Sequence, residues 1–256
     1  MAGILDRFRL DGRTALVTGA SAGLGEAMAV ALAEAGADVV CPGNRRPPDA
    51  VAARIAALGR RSAAIRADLA DPAAAGAVVD TAAAALGPLD LLINNAGTIR
   101  RAPAAEHPDE DWDLVLAVNL TAAFRIARAM GRQLLARGRP GKIVNVVSVL
   151  SFQGGVLVPS YAAAKGGLAQ LTKALANEWA ARGIQVNAIA PGYMRTSNTE
   201  ALKRDDTRNR QILERIPAGR WGEPDDLSGA AVFLCSAASD YLSGHVLVVD
   251  GGWLAR

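Results

Sequence analysis

Short apolar segments alternate with longer, alanine-rich segments along the whole chain. The apolar segments lie at residues 13–18, 38–42, 62–67, 89–93, 142–147, 184–190 and 245–249. Short, largely apolar runs of this kind are typical of parallel strands that are buried on both faces. Because helix-forming segments separate the strands, we predict an α/β fold: one doubly wound parallel sheet of about seven strands with helices on both faces.

The longer segments predict the helices and one more irregular region. The stretch from about Asp109 to Ala136 predicts a single long helix, and Pro224 to Ser236 predicts a shorter amphipathic one. Ser197 to Glu214 is polar with sparse apolar positions, which is typical of a mobile lid, and we place that lid at about residues 195–222. No Pro/Gly/Ser-rich linker divides the chain, so residues 1–256 are predicted to form one domain.

Composition and charge exclude several classes of protein. Hydrophobic residues make up 51% of the chain, and the net charge of +3 is scattered, so nucleic-acid binding is not expected. Cys41 and Cys235 are isolated, and His107 and His245 are far apart, so neither a disulfide framework nor a metal site is predicted. The N-terminal segment is broken by charges, and no apolar run reaches the roughly 18 residues of a membrane span. We therefore expect a soluble cytoplasmic protein that does not bind a membrane.

A glycine-rich loop follows the first predicted strand directly and leads into a helix. Its sequence, Thr18-Gly19-Ala-Ser21-Ala-Gly23-Leu24-Gly25, has the order strand, glycine turn and helix that dinucleotide binding requires. Glycines allow the backbone to approach a pyrophosphate closely, and the helix N-terminus supplies free N–H groups. A tight turn without a ligand is the alternative interpretation of such a loop.

The ends of the next three strands carry further candidate cofactor contacts. The second strand ends in Asn44-Arg45-Arg46 and lacks the acid that commonly binds an adenosine ribose. The two arginines either lie in a solvated loop or pair with a 2′-phosphate. Asp68-Leu69 after the third strand is a candidate wall for the adenine, and Asn95-Ala96-Gly97 after the fourth suits a backbone that passes close to a flat cofactor.

The chemically most informative stretch begins at Ser148, at the end of the fifth strand. Tyr161 and Lys165 are four residues apart, so in a helix they share one face. A nearby ammonium would lower the pKa of the tyrosine phenol from about 10 toward neutrality. Asn119, within the long predicted helix, either satisfies a structural role or holds a water molecule.

These motifs together resemble the short-chain dehydrogenase/reductase family over the whole chain. The motifs, in order, are Thr18-Gly19-x-x-x-Gly23-x-Gly25, Asn94-Asn95-Ala96-Gly97, Asn119, Ser148, Tyr161-x-x-x-Lys165 and Pro191-Gly192. The resemblance implies a Rossmann-type fold and an enzyme that transfers a hydride between a nicotinamide and a secondary alcohol or ketone. A non-catalytic dinucleotide-sensing scaffold is the alternative from another class.

The resemblance also implies roles for individual residues. Tyr161 is the general acid/base, Lys165 lowers its pKa and binds the nicotinamide ribose, Ser148 orients the reacting oxygen and Asn119 supports a relay water. The residues assigned to the cofactor are Gly19, Ser21, Gly23, Leu24, Gly25, Asn44, Arg45, Asp68, Leu69, Asn95, Ala96, Gly97, Tyr161, Lys165, Pro191, Gly192, Met194 and Thr196. NAD(H) is favoured as the cofactor, and NADP(H) is not excluded.

Within the family, the chain is most similar to members that act on sugar acids. A carboxylate-bearing substrate requires a cation at some distance from Tyr161, and Arg100 or Arg101 is the candidate; the alternative is that both are solvated or pair with acids such as Glu106. The remaining substrate candidates are Ser148, Gln153, Tyr161 and Tyr193.

The family resemblance further implies a homotetramer. Trp253 then lies either at a subunit contact or folded back onto its own subunit.

Overall fold

The computed structural model describes residues 3–44 and 46–256, and within them seven parallel strands form one sheet. The strands are β1 (Thr14–Val17), β2 (Asp38–Gly43), β3 (Ser62–Arg66), β4 (Leu91–Asn94), β5 (Gly141–Val146), β6 (Ile184–Pro191) and β7 (Val246–Val249). Their order across the sheet is β3-β2-β1-β4-β5-β6-β7. The predicted doubly wound parallel sheet is confirmed, with strand boundaries shifted by one or two residues in places.

Helices cover both faces of this sheet. They are α1 (Gly23–Glu34), α2 (Asp49–Ala57), α3 (Pro72–Leu86), α4 (Asp109–Leu116), α5 (Ala122–Arg137), α6 (Pro159–Trp179), α7 (Glu200–Arg204), α8 (Asp206–Arg215) and α9 (Ser228–Cys235). Successive strand residues face opposite layers: Ala15 and Val17 pack with α1 and α9, whereas Leu16 packs with α3 and α5. The core therefore lies in two layers, one on each side of the sheet.

The predicted long helix at 109–136 is interrupted. A π-helical turn, Ala117–Thr121, separates α4 from α5, and the amide of Ala122 donates to the carbonyl of Ala117, five residues earlier. Sequence periodicity did not predict this turn because one extra residue hardly disturbs an apolar pattern.

The stretch Asp109–Arg137 is long and apolar enough, by length and composition, to cross a membrane. Ile126, Met130 and Leu134 are nevertheless buried against the sheet, as in the core helix of a soluble protein.

The predicted lid region contains two helices, α7 and α8, and shares a small apolar cluster with the C-terminal segment. Ile212 and Ile216 are buried there together with Trp221 and Trp253. Whether residues 195–222 move as a lid stays a prediction.

The order of the strands decides where a ligand can bind. The chain proceeds outward from β1 to β2 and β3, then returns to place β4 on the other side of β1. In open parallel sheets, a crevice forms at the carboxyl ends of the strands where the direction reverses in this way.

Candidate active site

One large cavity of about 1040 Å³ lies at the carboxyl ends of the strands. It brings together residues from the ends of β1, β4, β5 and β6, the N-terminal part of α6, and the segment from Thr196 to Arg215. The sequence-predicted residues that line it are Gly19, Ser21, Gly23, Leu24, Gly25, Asn95, Ala96, Gly97, Arg101, Ser148, Gln153, Tyr161, Lys165, Pro191, Gly192, Tyr193, Met194 and Thr196.

The glycine loop forms one end of this cavity, and two of its glycines have a steric reason to be there. Gly19 adopts φ +66°, a left-handed conformation that residues with a side chain rarely take. A Cβ atom on Gly25 would lie 2.2 Å from the carbonyl oxygen of Gly19, so any side chain would push the loop open. In the described chain no side chain caps the N-terminus of α1, so its first N–H groups remain available to an anionic ligand.

A pair of polar side chains joins this loop to the end of β4. The Thr18 hydroxyl accepts hydrogen bonds from the backbone N–H groups of Asn95 and Ala96, both at 3.0 Å. In return, the Asn95 amide donates to the carbonyl of Thr18 at 3.0 Å and to that of Gly19 at 3.3 Å. The glycine loop and the Asn95–Gly97 loop are therefore held as one unit, here called the Thr18–Asn95 clamp.

Tyr161 and Lys165 lie on one face of α6, as their spacing predicted. Lys165 is buried and its Nζ donates to the carbonyl of Val146 at 2.6 Å, while lying 5.6 Å from the centre of the Tyr161 ring. Burial lowers the pKa of Lys165 to about 8. At neutral pH most of this ammonium is still charged.

The pKa of Tyr161 differs from the expectation. Burial raises the pKa of Tyr161 to about 12, and the hydrogen bond with Ser148 and the charge of Arg101 offset that rise only in part. Lys165 is not the charge that lowers this pKa here, since its ammonium bonds to the Val146 carbonyl. Tyr161 is therefore a protonated phenol at neutral pH, able to donate a hydrogen bond or a proton.

Ser148 and Ser151 fix the loop between β5 and α6. The Ser148 hydroxyl accepts from the Leu150 amide at 3.1 Å, and Ser151 Oγ donates to the carbonyl of Lys165 at 2.8 Å. The loop that carries Ser148 is thus tied directly to the helix turn that carries Lys165.

Asn119 sits in the π turn and is buried. Its Nδ2 donates to the carbonyl of Thr98 at 2.8 Å and to that of Val115 at 2.9 Å, whereas its Oδ1 has no hydrogen-bond partner in the described structure. A buried acceptor without a partner is costly unless a water molecule or ligand satisfies it. The orphaned oxygen fits the water-holding role better than a purely structural one.

Comparison with known proteins agrees with this geometry. A family model described as "Enoyl-(Acyl carrier protein) reductase" matches residues 19–254. The chain belongs to the short-chain dehydrogenase/reductase family. It is 50% identical over 253 residues to the 2-dehydro-3-deoxy-D-gluconate 5-dehydrogenase of Dickeya dadantii (strain 3937), covering 99% of this chain and 100% of that protein.

Two solved structures are similar in both fold and sequence. A candidate 2-deoxy-D-gluconate 3-dehydrogenase from Agrobacterium tumefaciens with bound NADP has a TM-score of 0.92 and 58% identity, covering 98% of this chain and 99% of that one. A gluconate 5-dehydrogenase from Burkholderia cenocepacia J2315 in complex with NADP and tartrate has a TM-score of 0.93 and 43% identity, covering 99% of this chain and 100% of that one.

Five of the assigned residues in this short-chain dehydrogenase/reductase do not line the cavity as the structure describes it. Asn44, Asp68 and Leu69 lie outside it, Asn119 lies behind its wall, and Arg100 is engaged elsewhere. Arg45 falls outside the described residues, but its neighbour Arg46 lines the cavity. These assignments to the cofactor and substrate stay predictions.

The two candidate substrate arginines, Arg100 and Arg101, have different partners in the structure. Arg100 pairs with Asp111, Nε to Oδ1 at 3.0 Å, and also donates to Thr98 and Ile99, so the alternative of an acid partner holds for it, with Asp111 in place of Glu106. Arg101 lines the cavity, where its Nη2 donates to the carbonyl of Asn198 at 2.9 Å.

Sequence reasoning missed a third arginine, Arg215, at the end of α8. It lines the cavity and donates to Gln153 Oε1 at 3.2 Å, while its guanidinium lies 4.0 Å from the centre of the Trp253 ring. Trp253 folds back onto its own subunit and packs against Tyr193, with ring centres 4.5 Å apart. No local sequence motif predicts these contacts, because they join residues from three distant parts of the chain.

Proposed function

We propose that this protein transfers a hydride between a nicotinamide dinucleotide and C5 of a sugar acid, with 2-dehydro-3-deoxy-D-gluconate as the substrate. The observation that carries the proposal is the meeting of Ser148, Tyr161 and Lys165 in the same cavity as the glycine loop. The full-length similarity to the Dickeya dadantii enzyme supports the choice of substrate. Gluconate is the second candidate, supported by the similarity to the Burkholderia cenocepacia gluconate 5-dehydrogenase.

The residues around the cavity fit a dinucleotide. The uncapped N-terminus of α1 suits a pyrophosphate, and the close approach of Gly25 to Gly19 keeps that surface free of side chains. When bound, the nicotinamide supplies the hydride chemistry. The side chains of the protein orient the reacting oxygen and transfer the proton.

Tyr161 and Ser148 manage the reacting oxygen. In the direction of reduction, the Tyr161 phenol, with its pKa raised to about 12, is protonated and gives its proton to the substrate oxygen. The Ser148 hydroxyl donates a hydrogen bond to the same oxygen and holds it beside the phenol. In the direction of oxidation, the Tyr161 phenolate takes the proton from the substrate hydroxyl, and the hydrogen bond with Ser148 and the charge of Arg101 stabilise that phenolate before the transfer.

Lys165 and Asn119 connect this proton to solvent. The Lys165 ammonium, with its pKa lowered to about 8, exchanges protons near neutral pH. The Asn119 Oδ1 atom accepts a hydrogen bond from a relay water that re-protonates Lys165. We propose Asn119, Ser148, Tyr161 and Lys165 as the catalytic residues.

The decisive experiment is Tyr161→Phe, which removes only the phenolic oxygen. The variant should bind the dinucleotide as the wild type does, measured by fluorescence titration, and should show no turnover of 2-dehydro-3-deoxy-D-gluconate. Turnover at the wild-type rate would refute the assignment. A different outcome is a wild type that binds the dinucleotide and turns over none of three substrates: 2-dehydro-3-deoxy-D-gluconate, gluconate and 5-ketogluconate. That result would favour the non-catalytic scaffold.

For the cofactor, we propose NADP(H), in place of the NAD(H) that the sequence resemblance favours. Arg46 lines the cavity at the end of β2, where the chain lacks an acid, and both solved structures named above are of proteins with NADP. A guanidinium there can pair with a 2′-phosphate through charge-assisted hydrogen bonds. Wild-type kcat/KM should therefore be higher with NADPH than with NADH.

The matched test is Arg46→Ala beside Arg139→Ala, an exposed arginine after α5. Arg46→Ala should lower kcat/KM for NADPH by about tenfold to a hundredfold, since one charge-assisted hydrogen bond is worth ~1.5–3 kcal/mol, and should leave kcat/KM for NADH unchanged. A wild-type kcat/KM that is higher with NADH than with NADPH would return the choice to NAD(H).

We propose a cytoplasmic homotetramer: the family resemblance implies the tetramer, and the composition of the chain favours the cytoplasm. Because Trp253 is buried among residues of its own chain, we do not assign the contact between subunits to it. A monomeric mass by light scattering at micromolar concentration would contradict the tetramer.

A further inference from the structure

The cavity wall contains a guanidinium group that two side chains hold, and the backbone of the same residue is also bonded. The Arg215 guanidinium lies 4.0 Å from the centre of the Trp253 ring, and its Nη2 donates to Gln153 Oε1 at 3.2 Å. Behind it, Arg256 Nε donates to the backbone carbonyl of Arg215 at 3.1 Å. A guanidinium held on an aromatic face and by an amide loses little conformational freedom when it binds an anion.

The support behind Arg215 is itself rigid. Trp253 is 4% exposed and packs with Tyr193, which in turn meets Trp221 edge-on at 5.6 Å between ring centres. Trp221 Nε1 donates to Asn209 Oδ1, so the aromatic cluster is tied to α8. We call Arg215, Gln153 and Trp253 the Arg215 subsite.

The cavity as described has a clear excess of positive charge. Arg46, Arg101, Arg208 and Arg215 line it together with Lys165, and Asp205 is the one acid among the described lining residues. Asp205 is occupied as the N-cap of α8, where it accepts from the backbone N–H of Arg208. Within the described residues, no carboxylate forms an ion pair with Arg101 or Arg215.

Arg101 and Arg215, which form no ion pair within the described residues, have different surroundings in the cavity. Arg101 is close enough to Tyr161 for its charge to act on the phenol, so it belongs beside the reacting oxygen. Arg215, at the end of α8, contacts Gln153 of the loop between β5 and α6, and the Gln153 amide keeps its NH₂ group free because Oε1 accepts from Arg215. Planar donors of this kind match a carboxylate and its neighbouring oxo group.

We propose that Arg215, held by Gln153 and Trp253, binds the carboxylate of the substrate and makes the enzyme prefer acids over neutral sugars. This inference rests on the proposed function. It transfers the anchoring role from Arg100, which pairs with Asp111, to Arg215, which lines the cavity.

The test compares Arg215→Met with Arg210→Met, an exposed arginine of the same helix that does not line the cavity. The substrates are 2-dehydro-3-deoxy-D-gluconate and its C1 amide, and the readout is the ratio of their kcat/KM values. Arg215→Met should lower the acid-over-amide ratio by about tenfold to a hundredfold through KM, the size expected for a charge-assisted contact. Arg210→Met should leave the ratio at its wild-type value.

Two further variants separate charge from packing. Arg215→Lys keeps the charge but cannot form the planar fork, so the ratio should fall part of the way. Gln153→Glu keeps Arg215 and Trp253 in place and adds a carboxylate 3.2 Å from the guanidinium, so it should lower the ratio as Arg215→Met does. This second route remains informative if Arg215→Met fails to fold.

A binding measurement tests the subsite without turnover. Calorimetric titration of tartrate, a dicarboxylate found with the Burkholderia cenocepacia structure, into the NADPH complex should show weaker binding to Arg215→Met than to Arg210→Met. If the wild type turns over no sugar acid but tartrate binding still depends on Arg215, the proposed function fails and the anion subsite stands. An acid-over-amide ratio and a tartrate affinity that are unchanged in Arg215→Met and Gln153→Glu would overturn the inference.

Discussion

Lys165 is a buried charge in the cavity, and its effect on stability should depend strongly on pH. Burial lowers its pKa from its ordinary 10.5 to about 8. Between these two values the unfolded chain holds a proton that the folded protein has released, so stability should rise with pH across this window and the charge should be destabilising below it. Lowering the pKa from 10.5 to about 8 corresponds to ~3 kcal/mol of unfolding free energy, since one pKa unit is worth 1.36 kcal/mol.

Replacing Lys165 with Met removes this titration. The Lys165 pKa is 10.5 in the unfolded chain and about 8 in the folded protein. This difference predicts that the unfolding free energy of the wild type, relative to that of the variant, rises by about 2 kcal/mol between pH 7 and pH 9.5. The absolute difference at one pH is less informative, because Met also leaves the Val146 carbonyl, bonded at 2.6 Å in the wild type, without its partner. Staying below pH 10 also keeps Tyr161 protonated in the folded state, where burial raises its pKa to about 12, and mostly protonated in the unfolded chain.

The assay is urea unfolding at several pH values and one fixed protein concentration, because assembly would make stability concentration-dependent. Lys173→Met, an exposed lysine of the same helix, is the control and should run parallel to the wild type. A difference between the wild type and Lys165→Met that stays constant from pH 7 to pH 9.5 would show that the ammonium is not destabilised by burial.

Three further predictions concern other parts of the cavity and its support. Asn119→Leu should lower kcat by about a hundredfold, the low end of the range for proton transfer, because it removes the oxygen that holds the relay water; an unchanged kcat in steady-state assays would exclude that water. Gly25→Ala should weaken dinucleotide binding by about tenfold or more, because its Cβ would lie 2.2 Å from the Gly19 carbonyl, and unchanged affinity by fluorescence titration would contradict this. Asp226→Asn should destabilise the protein by ~1 kcal/mol at pH 7, a value reduced for the partial exposure of its pair with Arg220. Since that pair holds the pKa of Asp226 at about 2, the contribution should disappear in urea unfolding as the pH falls from 4 toward 2.

The features that the sequence predicted well depend on local spacing. The alternation of apolar and helical segments specified the sheet, and four-residue spacing placed Tyr161 and Lys165 on one face of α6. The glycine loop could be predicted because a turn between a strand and a helix is decided by the residues within it.

Other features depend on contacts between distant residues, and sequence patterns alone did not reveal them. Arg100 and Arg101 are adjacent in sequence, yet Arg100 forms an ion pair with Asp111 whereas Arg101 lines the cavity. Arg215 acquires its position only when Trp253 folds back beneath it. The pKa of Tyr161 rises because burial outweighs the neighbouring charges, and burial is a property of the assembled cavity.

The π turn at Ala117–Thr121 makes the number of residues between α4 and α5 a functional quantity. A π turn closes over five residues where an α turn closes over four, so deleting one residue here would convert it into a regular α-helical turn. Asn119 would then lose its alignment with the Thr98 carbonyl, to which it donates at 2.8 Å. Engineers who shorten or regularise this helix pair to stabilise the protein should expect to gain helical hydrogen bonding and to lose the geometry around Asn119.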